Sequence, residues 1–327
     1  MYDVITIGAA TKDVFLKSKD FNPIIDKRFL TGKALAFDLN SKNEVDDIFL
    51  STGGGATNAA VTFARQGFKV ASVVRVGNDA SGKDVIEDLN SEGVDCSLIQ
   101  KDRKPGTGYS TLITATDGSR VVLVKRGFSS DIKYADIDFS KMQAKWFYIS
   151  SLGGNLNLLS KLLNFAKKNN IYVAFNPGNK ELAFGITKLK SFFKKVHLLI
   201  INQDEASSLL NIPFKEEKKI FKELDDIIAE FVVMTKGKDG VSVSDGKDIY
   251  CAGIPNSPII ERTGAGDAFG SGFVASILHG KDVTHAIQFA TANSTSVIQY
   301  FSAKTGILKK SKWGKYPKVK VSKDICY

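Results

Sequence analysis

The sequence predicts an α/β fold in which a mostly parallel central sheet is covered by helices on both faces. Its strand-like runs are continuously apolar, and they alternate with helical patterns over most of the 327 residues. Strands that are buried on both faces have this continuous apolar character, and alternation with helices is typical of parallel sheets. The strand-like runs are residues 3–8, 69–77, 145–151, 171–177, 196–202 and 230–237, and helical spacing occurs at 58–68, 157–169 and 219–230.

Two segments interrupt this alternation, at about residues 11–52 and 107–127, where short strand-like runs and turns follow each other. In the second segment the pair Asp117-Gly118 predicts a tight hairpin turn. We expect the two insertions to pair with each other as a small β-sheet lid over the core.

The composition is that of a globular protein, with 43% apolar and 24% charged residues. No apolar run approaches the roughly 20 residues of a membrane span, and the first residues do not resemble a signal peptide, so we expect a cytoplasmic protein. The three cysteines, Cys96, Cys251 and Cys326, are too scattered for a disulfide framework or a zinc site.

The net charge of +10 is concentrated at the C-terminus. Residues 309–327 hold seven lysines and one aspartate, which gives +6 and leaves +4 for residues 1–308. The sequence therefore predicts one domain over residues 1–308 and a solvated, lysine-rich tail over 309–327. A tail that attracts nucleic acid is the alternative. No nucleic-acid-binding module is recognisable elsewhere, so the sequence does not favour nucleic acid as a partner.

A glycine-rich turn precedes a predicted helix in residues 263–281, "TGAGDAFGSGFVASILHGK". Apolar residues at helical spacing place the start of this helix near 264–267 and its end near Gly280. The first turn of a helix offers unpaired N–H groups to an anion, and small residues leave room for a phosphate there. Asp267 would lie beside that anion; the alternative is that it only caps the helix. The segment matches neither the dinucleotide-binding G-x-G-x-x-G pattern nor a Walker A loop.

A second glycine-rich segment, residues 51–77, has three consecutive glycines followed by Asn58 and an apolar helix. Gly53–Gly55 allow the backbone to approach a ligand, and the Asn58 amide offers a donor and an acceptor to sugar hydroxyls. A tight strand-to-helix turn capped by Asn58 explains the pattern equally well.

These two motifs together resemble the PfkB, or ribokinase-like, family of carbohydrate kinases. The spacing of Gly53, Gly54, Asn58, Ala60, Gly67 and Gly77 is similar to the family's N-terminal signature, and residues 263–267, "TGAGD", to its C-terminal one. Residues 202–205, "NQDE", and 235–240, "TKGKDG", resemble two further family elements between them. The resemblance covers nearly the whole chain except the tail, and it implies a ribokinase-like fold.

The resemblance implies transfer of the γ-phosphate of ATP to a hydroxymethyl group of a sugar-like molecule. Asp267 would be the catalytic base, and the backbone N–H groups of Gly264, Ala265 and Gly266 would form an anion hole for the phosphoryl group. It also implies three groups of binding residues: for the acceptor Asp13, Gly54, Asn58 and Arg126; for the nucleotide Asn202, Glu205, Thr235, Gly237, Gly240 and Asn293; and for Mg²⁺, through water, Asn202 and Glu205.

Glu261-Arg262 departs from the small Asp-Thr pair that usually precedes this motif. The family's aspartate often helps to hold a monovalent cation, so this departure argues against K⁺ activation. Arg262 is a charge that could reach a phosphate or point to solvent. The family's lid in many members pairs with a second subunit, which leaves a homodimer and a monomer as equal alternatives. A nucleoside kinase is the alternative activity, and a catalytically inactive binding or regulatory relative is the alternative from another class.

Overall fold

The structure is a computed structural model whose description covers the backbone of residues 1–325 and the side chains of residues 1–323; Cys326 and the end of the predicted tail lie outside it. The strands in this range are β1 (Tyr2–Ile7), β2 (Thr11–Lys17), β3 (Ile24–Ile25), β4 (Lys33–Ala34), β5 (Asp47–Gly53), β6 (Val70–Val73), β7 (Arg75–Val76), β8 (Gln100–Lys101), β9 (Gly108–Thr114), β10 (Arg120–Lys125), β11 (Ala144–Ile149), β12 (Tyr172–Phe175), β13 (Leu198–Asn202), β14 (Phe231–Thr235), β15 (Val241–Ser244), β16 (Asp248–Ala252) and β17 (Val321–Ile325). The α-helices are α1 (Gly55–Arg65), α2 (Ala80–Ser91), α3 (Leu156–Lys168), α4 (Asn179–Leu182), α5 (Gly185–Phe193), α6 (Gln203–Leu210), α7 (Glu217–Asp225), α8 (Ala265–Leu278) and α9 (Val283–Val297).

The central sheet has nine strands in the order β17-β16-β15-β14-β13-β12-β11-β1-β6. The six strands from β14 to β6 are parallel, and β15, β16 and β17 continue the sheet in antiparallel pairing. Side chains on both faces of the parallel strands are buried; Val4, Ile5 and Ile7 of β1, for example, are completely inaccessible to solvent. This burial explains why the strands appear as continuous apolar runs, and it confirms the predicted fold class.

Helices cover both faces of the central sheet. One apolar core lies between the sheet and α3, α5, α6 and α7, and a second lies between the sheet and α1, α2, α8 and α9. None of the helices within residues 1–325 combines the length and the apolar character that crossing a bilayer requires.

A second sheet of four strands, called here the small sheet, has the order β10-β9-β2-β5. It joins the ends of the two insertions as predicted, with β9 and β10 connected through the Asp117-Gly118 turn, where Gly118 has a φ of 79°. The middle of the first insertion is largely irregular, with β3 and β4 of two residues each. The insertion is therefore less strand-rich than its sequence suggests.

The Asp79 carboxylate holds the start of β9 against the start of α2. It accepts hydrogen bonds from Gly82 N (2.8 Å), Gly106 N (2.7 Å) and both the backbone N (3.0 Å) and Oγ1 (2.6 Å) of Thr107. Burial on its own raises the pKa of Asp79, but these hydrogen bonds outweigh it and lower the pKa to about 2.

We expect Asp79→Ala to lower the free energy of unfolding by about 2 kcal/mol, because it removes a helix cap and leaves several donors unpaired. Since the folded-state pKa lies below that of the unfolded chain, the contribution is present above about pH 4 and is lost as the pH falls towards 2. Urea unfolding at pH 7 and at pH 3 would measure this. An equal effect of Asp79→Ala at both pH values would contradict the assignment.

The lysine-rich segment that begins at residue 309 is not a free tail over its described part. The Trp313 ring packs edge-on against Phe289 and His285 of α9, and β17 pairs with β16 at the edge of the central sheet. The expectation of a solvated tail is corrected here, because Trp313, Val319 and Val321 provide apolar contacts that its lysine content obscured.

Candidate active site

The predicted catalytic residues come together where the N-termini of α1 and α8 meet beside the small sheet. The two helices pack against each other, and Asn58 Nδ2 on α1 donates a hydrogen bond of 2.8 Å to Asp267 Oδ2 on α8. Asn58 and Asp267 are 209 positions apart in the chain, so only the tertiary fold brings them together.

Asp267 is the third residue of α8 and is half-buried. Burial raises the pKa of its carboxyl group above the ordinary value; the hydrogen bond from Asn58 opposes this shift, and the negative charge of Asp13 adds to it. A carboxylate with a raised pKa is a stronger base than an ordinary aspartate, which suits it to accept a proton near neutral pH.

Asp13 lies at the start of β2 and is only 5% exposed. Its Oδ1 accepts a hydrogen bond from Thr11 Oγ1 (2.9 Å), and burial raises the pKa of the carboxyl group. Gly53 makes room for it, because a Cβ at position 53 would lie 1.9 Å from Asp13 Oδ2. The next residue, Gly54, has a φ of 99° and lies so close to Ala9 that a Cβ would be 2.4 Å from the Ala9 carbonyl oxygen.

Asn58 is 3% exposed, and its Oδ1 has no hydrogen-bond partner among the described residues. A buried acceptor without a partner is costly unless a ligand supplies a donor. Asn58 therefore presents a free acceptor beside Asp267, which a hydroxyl group of a bound molecule would satisfy.

The N-terminus of α8 provides donors for an anion. Gly264 has a φ of 81° and caps the helix, and within the described residues no acceptor is assigned to the N–H groups of Gly264, Gly266 and Asp267. The N–H of Ala265 was also predicted to belong to the anion hole, but it donates to the Arg262 carbonyl oxygen at 3.2 Å. The helix dipole adds positive potential at the same point.

A pocket of about 260 Å³ opens beside this helix terminus. It contains five predicted nucleotide and anion-hole residues, together with an apolar wall that the sequence reasoning missed. The predicted residues are Thr235, Gly237, Gly240, Ala265 and Gly266, and the additional lining includes Ile254, Pro255, Ile259, Phe269, Thr291 and Ile298. An apolar wall next to an anion site is suited to a flat heterocycle that carries phosphates.

The prediction that Asn293 lies near a nucleotide base is corrected by the structure. Asn293 is completely buried in α9, where its Nδ2 donates to the Ala268 carbonyl oxygen (2.8 Å) and its Oδ1 accepts from Leu308 N (2.8 Å). The amide of Asn293 thus links α9 to α8 at one end and to the segment around Leu308 at the other. Thr291, two residues earlier, does line the pocket, and its buried Oγ1 has no partner among the described residues.

Asn202 and Glu205 form a capping box at the N-terminus of α6. Asn202 Oδ1 accepts from Glu205 N (2.8 Å), and Asn202 N donates to Glu205 Oε2 (3.0 Å). The pair lies at the carboxyl end of β13, next to Thr235 of the pocket. Burial raises the pKa of Glu205, while the hydrogen bonds from Asn202 oppose the shift.

The unusual Glu261-Arg262 pair separates into a buried acid and an exposed base. Glu261 is 3% exposed, and its Oε1 accepts from Arg120 of the small sheet at 2.6 Å. A fixed cation therefore already neutralises the carboxylate. Arg262 lines the pocket, whereas the predicted acceptor residue Arg126 is exposed after β10, where none of the described contacts pairs its side chain with an acid.

Two features of the site were missed in the sequence. The Arg120–Glu261 ion pair joins residues 141 positions apart and carries no local signal. The apolar wall did leave one, since Ile254 and Ile259 stand in a loop of polar, proline and glycine residues and are exposed.

The hydrogen bond from Asn58 predicts a pH effect. As the predicted general base, Asp267 would act only when deprotonated, so turnover would fall as the pH drops through its pKa. We expect Asn58→Ala to move the acid limb of kcat to higher pH, because the hydrogen bond that lowers the pKa of Asp267 is lost. Thr62→Val, one turn further along α1, is the control and should leave the limb in place. A shift to lower pH in Asn58→Ala would contradict this arrangement.

Comparison with known proteins gives a consistent result over most of the chain. Residues 20–310 match the profile of the pfkB family of carbohydrate kinases. The chain is 25% identical over 298 residues to an ATP-dependent 6-phosphofructokinase from Thermoanaerobacterium thermosaccharolyticum, covering 85% of this chain and 90% of that protein. It is 30% identical over 251 residues to a cytidine kinase from Thermococcus kodakarensis, covering 76% and 87%.

Among solved structures, a ribokinase from Cryptococcus neoformans var. grubii in complex with ADP superposes with a TM-score of 0.74 at 20% identity, covering 94% of this chain and 97% of that one. This likeness establishes the ribokinase-like fold, and the match to the family profile establishes the family. The chain belongs to the pfkB family of carbohydrate kinases, phosphotransferases that act on hydroxyl groups.

Proposed function

We propose that this enzyme transfers the γ-phosphate of ATP to a hydroxymethyl group of a small polyhydroxy molecule, with Asp267 as the base. The observation that carries the proposal is the position of Asp267. It stands in the first turn of α8, beside N–H groups with no assigned acceptor, and receives a hydrogen bond from Asn58.

In the proposed step the hydroxyl oxygen of the acceptor attacks the γ-phosphorus. Its proton passes to an oxygen of Asp267, a bond forms between the acceptor oxygen and phosphorus, and the bond to the β-phosphate oxygen breaks, so that the electron pair leaves with ADP. The N–H groups of Gly264 and Gly266 would stabilise the charge on the transferring group, which is the main task in phosphoryl transfer.

The donor nucleotide would lie in the pocket between the turn at residues 235–240 and α9, with its phosphates towards the N-terminus of α8. The apolar wall suits the face of a base, and Thr291 Oγ1 could satisfy a polar group on its edge. Thr235, Gly237 and Gly240 would contact the nucleotide along its length.

Mg²⁺ fits the oxygen-rich end of β13. Glu205 uses Oε2 for its capping hydrogen bond, and within the described residues no partner is assigned to Oε1, so this oxygen could hold a water molecule of the ion. When bound with the nucleotide, Mg²⁺ would neutralise phosphate charge. Asn202 would orient Glu205, and neither residue needs to contact the ion directly.

The acceptor would be held by Asp13, by Oδ1 of Asn58 and by the backbone at Gly54, with Arg126 at the edge of the small sheet. A nucleoside acceptor is the second candidate, because two aromatic rings lie on the same side of this sheet. These rings are Phe49 and Phe301, which stack with ring centroids 4.5 Å apart. Phe49 pairs across the sheet with Phe15, which lies two positions after Asp13 on β2.

A panel assay tests the proposal: ADP release from ATP and Mg²⁺ with pentoses, hexoses, their phosphates and nucleosides. We expect one acceptor class to stimulate ADP release, and the activity should not require K⁺, because Arg120 already neutralises Glu261. Absence of stimulation across the panel, in a protein that binds ATP, would favour a binding or regulatory role instead.

The small sheet would act as a lid and could also join two subunits. Leu50 and Leu123 lie in one cross-strand row on its outer face and are 64% and 57% exposed. We expect light scattering to report a dimer that Leu50→Lys with Leu123→Lys converts to monomers. A wild-type monomer would contradict this part of the proposal.

A further inference from the structure

Arg262 lies at the mouth of the donor pocket, two residues before the helix cap Gly264. It is exposed, lines the pocket together with Ala265 and Gly266, and no carboxylate in the described part of the chain pairs with its guanidinium. An unpaired arginine beside an anion site is a candidate ligand for phosphate, because its planar donors match two phosphate oxygens at once.

The neighbouring acid is not available as its partner, because Glu261 is buried and four donors already converge on its Oε1. Glu261 Oε1 accepts from the backbone N of Arg262 (2.8 Å), from the N and Oγ1 of Thr263 (3.0 and 2.8 Å), and from Arg120 (2.6 Å). These bonds hold the backbone of residues 261–263. With Glu261 turned into the protein, the side chain of Arg262 is directed to the pocket.

Arg120 connects this loop to the small sheet. It stands at the start of β10, opposite Thr114 of β9, whose Oγ1 also lies 3.5 Å from Glu261 Oε2. The position of the small sheet and the conformation of the loop before the anion hole are therefore coupled through one buried carboxylate.

Two other cations lie near the pocket. Lys236 is occupied by Glu217 (3.2 Å) and by Ser242 Oγ (2.7 Å). Lys238 lines the pocket and is exposed, so it is the alternative phosphate contact, but it lies on the turn at residues 237–239, on a different element from the anion hole.

We propose that Arg262 binds the γ-phosphoryl group of the donor nucleotide, and that the Arg120–Glu261 ion pair positions it there. This inference rests on the function proposed above. Arg262 contributes its charge as negative charge spreads over the phosphoryl oxygens during transfer, and Arg120 makes that contribution depend on the closed small sheet.

Nucleotide binding tests this without knowledge of the acceptor. Calorimetry would compare ADP with the non-hydrolysable ATP analogue AMP-PNP, at fixed Mg²⁺ and ionic strength. Arg262→Gln should lower the affinity for AMP-PNP about 10- to 100-fold and that for ADP by less than about threefold, since a charge-assisted contact to the γ-phosphate is lost. Arg262→Lys should retain part of the affinity, and the exposed Arg103→Gln should match the wild type.

The outcomes separate the two proposals. Failure of the wild type to bind either nucleotide overturns the proposed function and this inference together. Wild-type binding with unchanged affinities in Arg262→Gln overturns the inference alone, as does an equal loss for both nucleotides or a selective AMP-PNP loss that appears only in Lys238→Gln.

The positioning role of Arg120 is tested by a double-mutant cycle. Arg120→Gln should weaken AMP-PNP binding when Arg262 is present and have little further effect in Arg262→Gln, because it acts through that residue. Arg120→Lys, which keeps a charge on Glu261, should restore part of the affinity. Additive losses in the double variant would assign Arg120 a purely structural role and overturn the coupling.

Discussion

Asp267→Asn is expected to reduce turnover by about 10²- to 10⁴-fold and to leave nucleotide binding intact. The amide has nearly the same shape and can still accept a hydrogen bond from Asn58 Nδ2, so the structural change is small. What would be lost is the basic oxygen that is proposed to take the acceptor's proton. Steady-state kinetics with the acceptor identified in the panel measures turnover. Calorimetry with AMP-PNP measures nucleotide binding.

The control for Asp267→Asn is Asp282→Asn at the N-terminus of α9. Asp282 accepts a hydrogen bond from His285 N at 2.7 Å, and asparagine is as good a helix cap as aspartate. We expect this variant to keep wild-type turnover. If Asp267→Asn behaves in the same way, Asp267 is only a cap and the proposed mechanism is wrong.

Gly264→Ala is expected to lower the free energy of unfolding by about 3 kcal/mol and turnover by more than about 100-fold. Its φ of 81° costs an alanine about 1–2 kcal/mol, and a Cβ would lie 2.5 Å from the Cβ of Ala303. Relief of that contact must displace either the segment around Ala303 or the helix terminus that carries the anion hole. Thermal unfolding and kinetics measure both effects.

Substitutions at two further glycines separate the cost of the positive φ from the cost of the contact with Ala303. Gly118→Ala has nearly the same φ of 79° with no atom within 4 Å, so it should cost only about 1–2 kcal/mol and leave turnover unchanged. Gly266→Ala also has free space and is helical, so it should not destabilise the fold, but its methyl group would stand in the donor pocket and lower turnover. Equal stability losses for Gly264→Ala and Gly118→Ala would mean that the contact with Ala303 relaxes without cost.

Local patterns predicted the elements that carry the chemistry. The start of α8 near Gly264 followed from a run of small residues ahead of apolar residues at helical spacing, and the hairpin followed from Asp117-Gly118. These features depend on backbone preferences and on periodic burial, which neighbouring residues determine.

Predictions about long-range partners were less successful. Asn293 was expected to contact a nucleotide, but its amide is satisfied by Ala268 and Leu308 inside the protein. The lysines after residue 308 suggested a solvated tail, although Trp313 and β17 attach this segment to the core. In both cases the residue type was compatible with two environments, and only the packing of distant elements selected one.

The sequence by itself determined the α/β class, the two glycine-rich turns and the identity of Asn58 and Asp267 as the polar residues beside them, because spacing and backbone freedom are local properties. Asp13 was named only by the resemblance to the family. The tertiary structure decided that Asn58 donates to Asp267, that Glu261 pairs with Arg120, and that Arg262 is left facing the donor pocket. The first two contacts join residues more than 140 positions apart, and the placement of Arg262 depends on the second. Their energies arise from burial and pairing that exist only once the chain is folded.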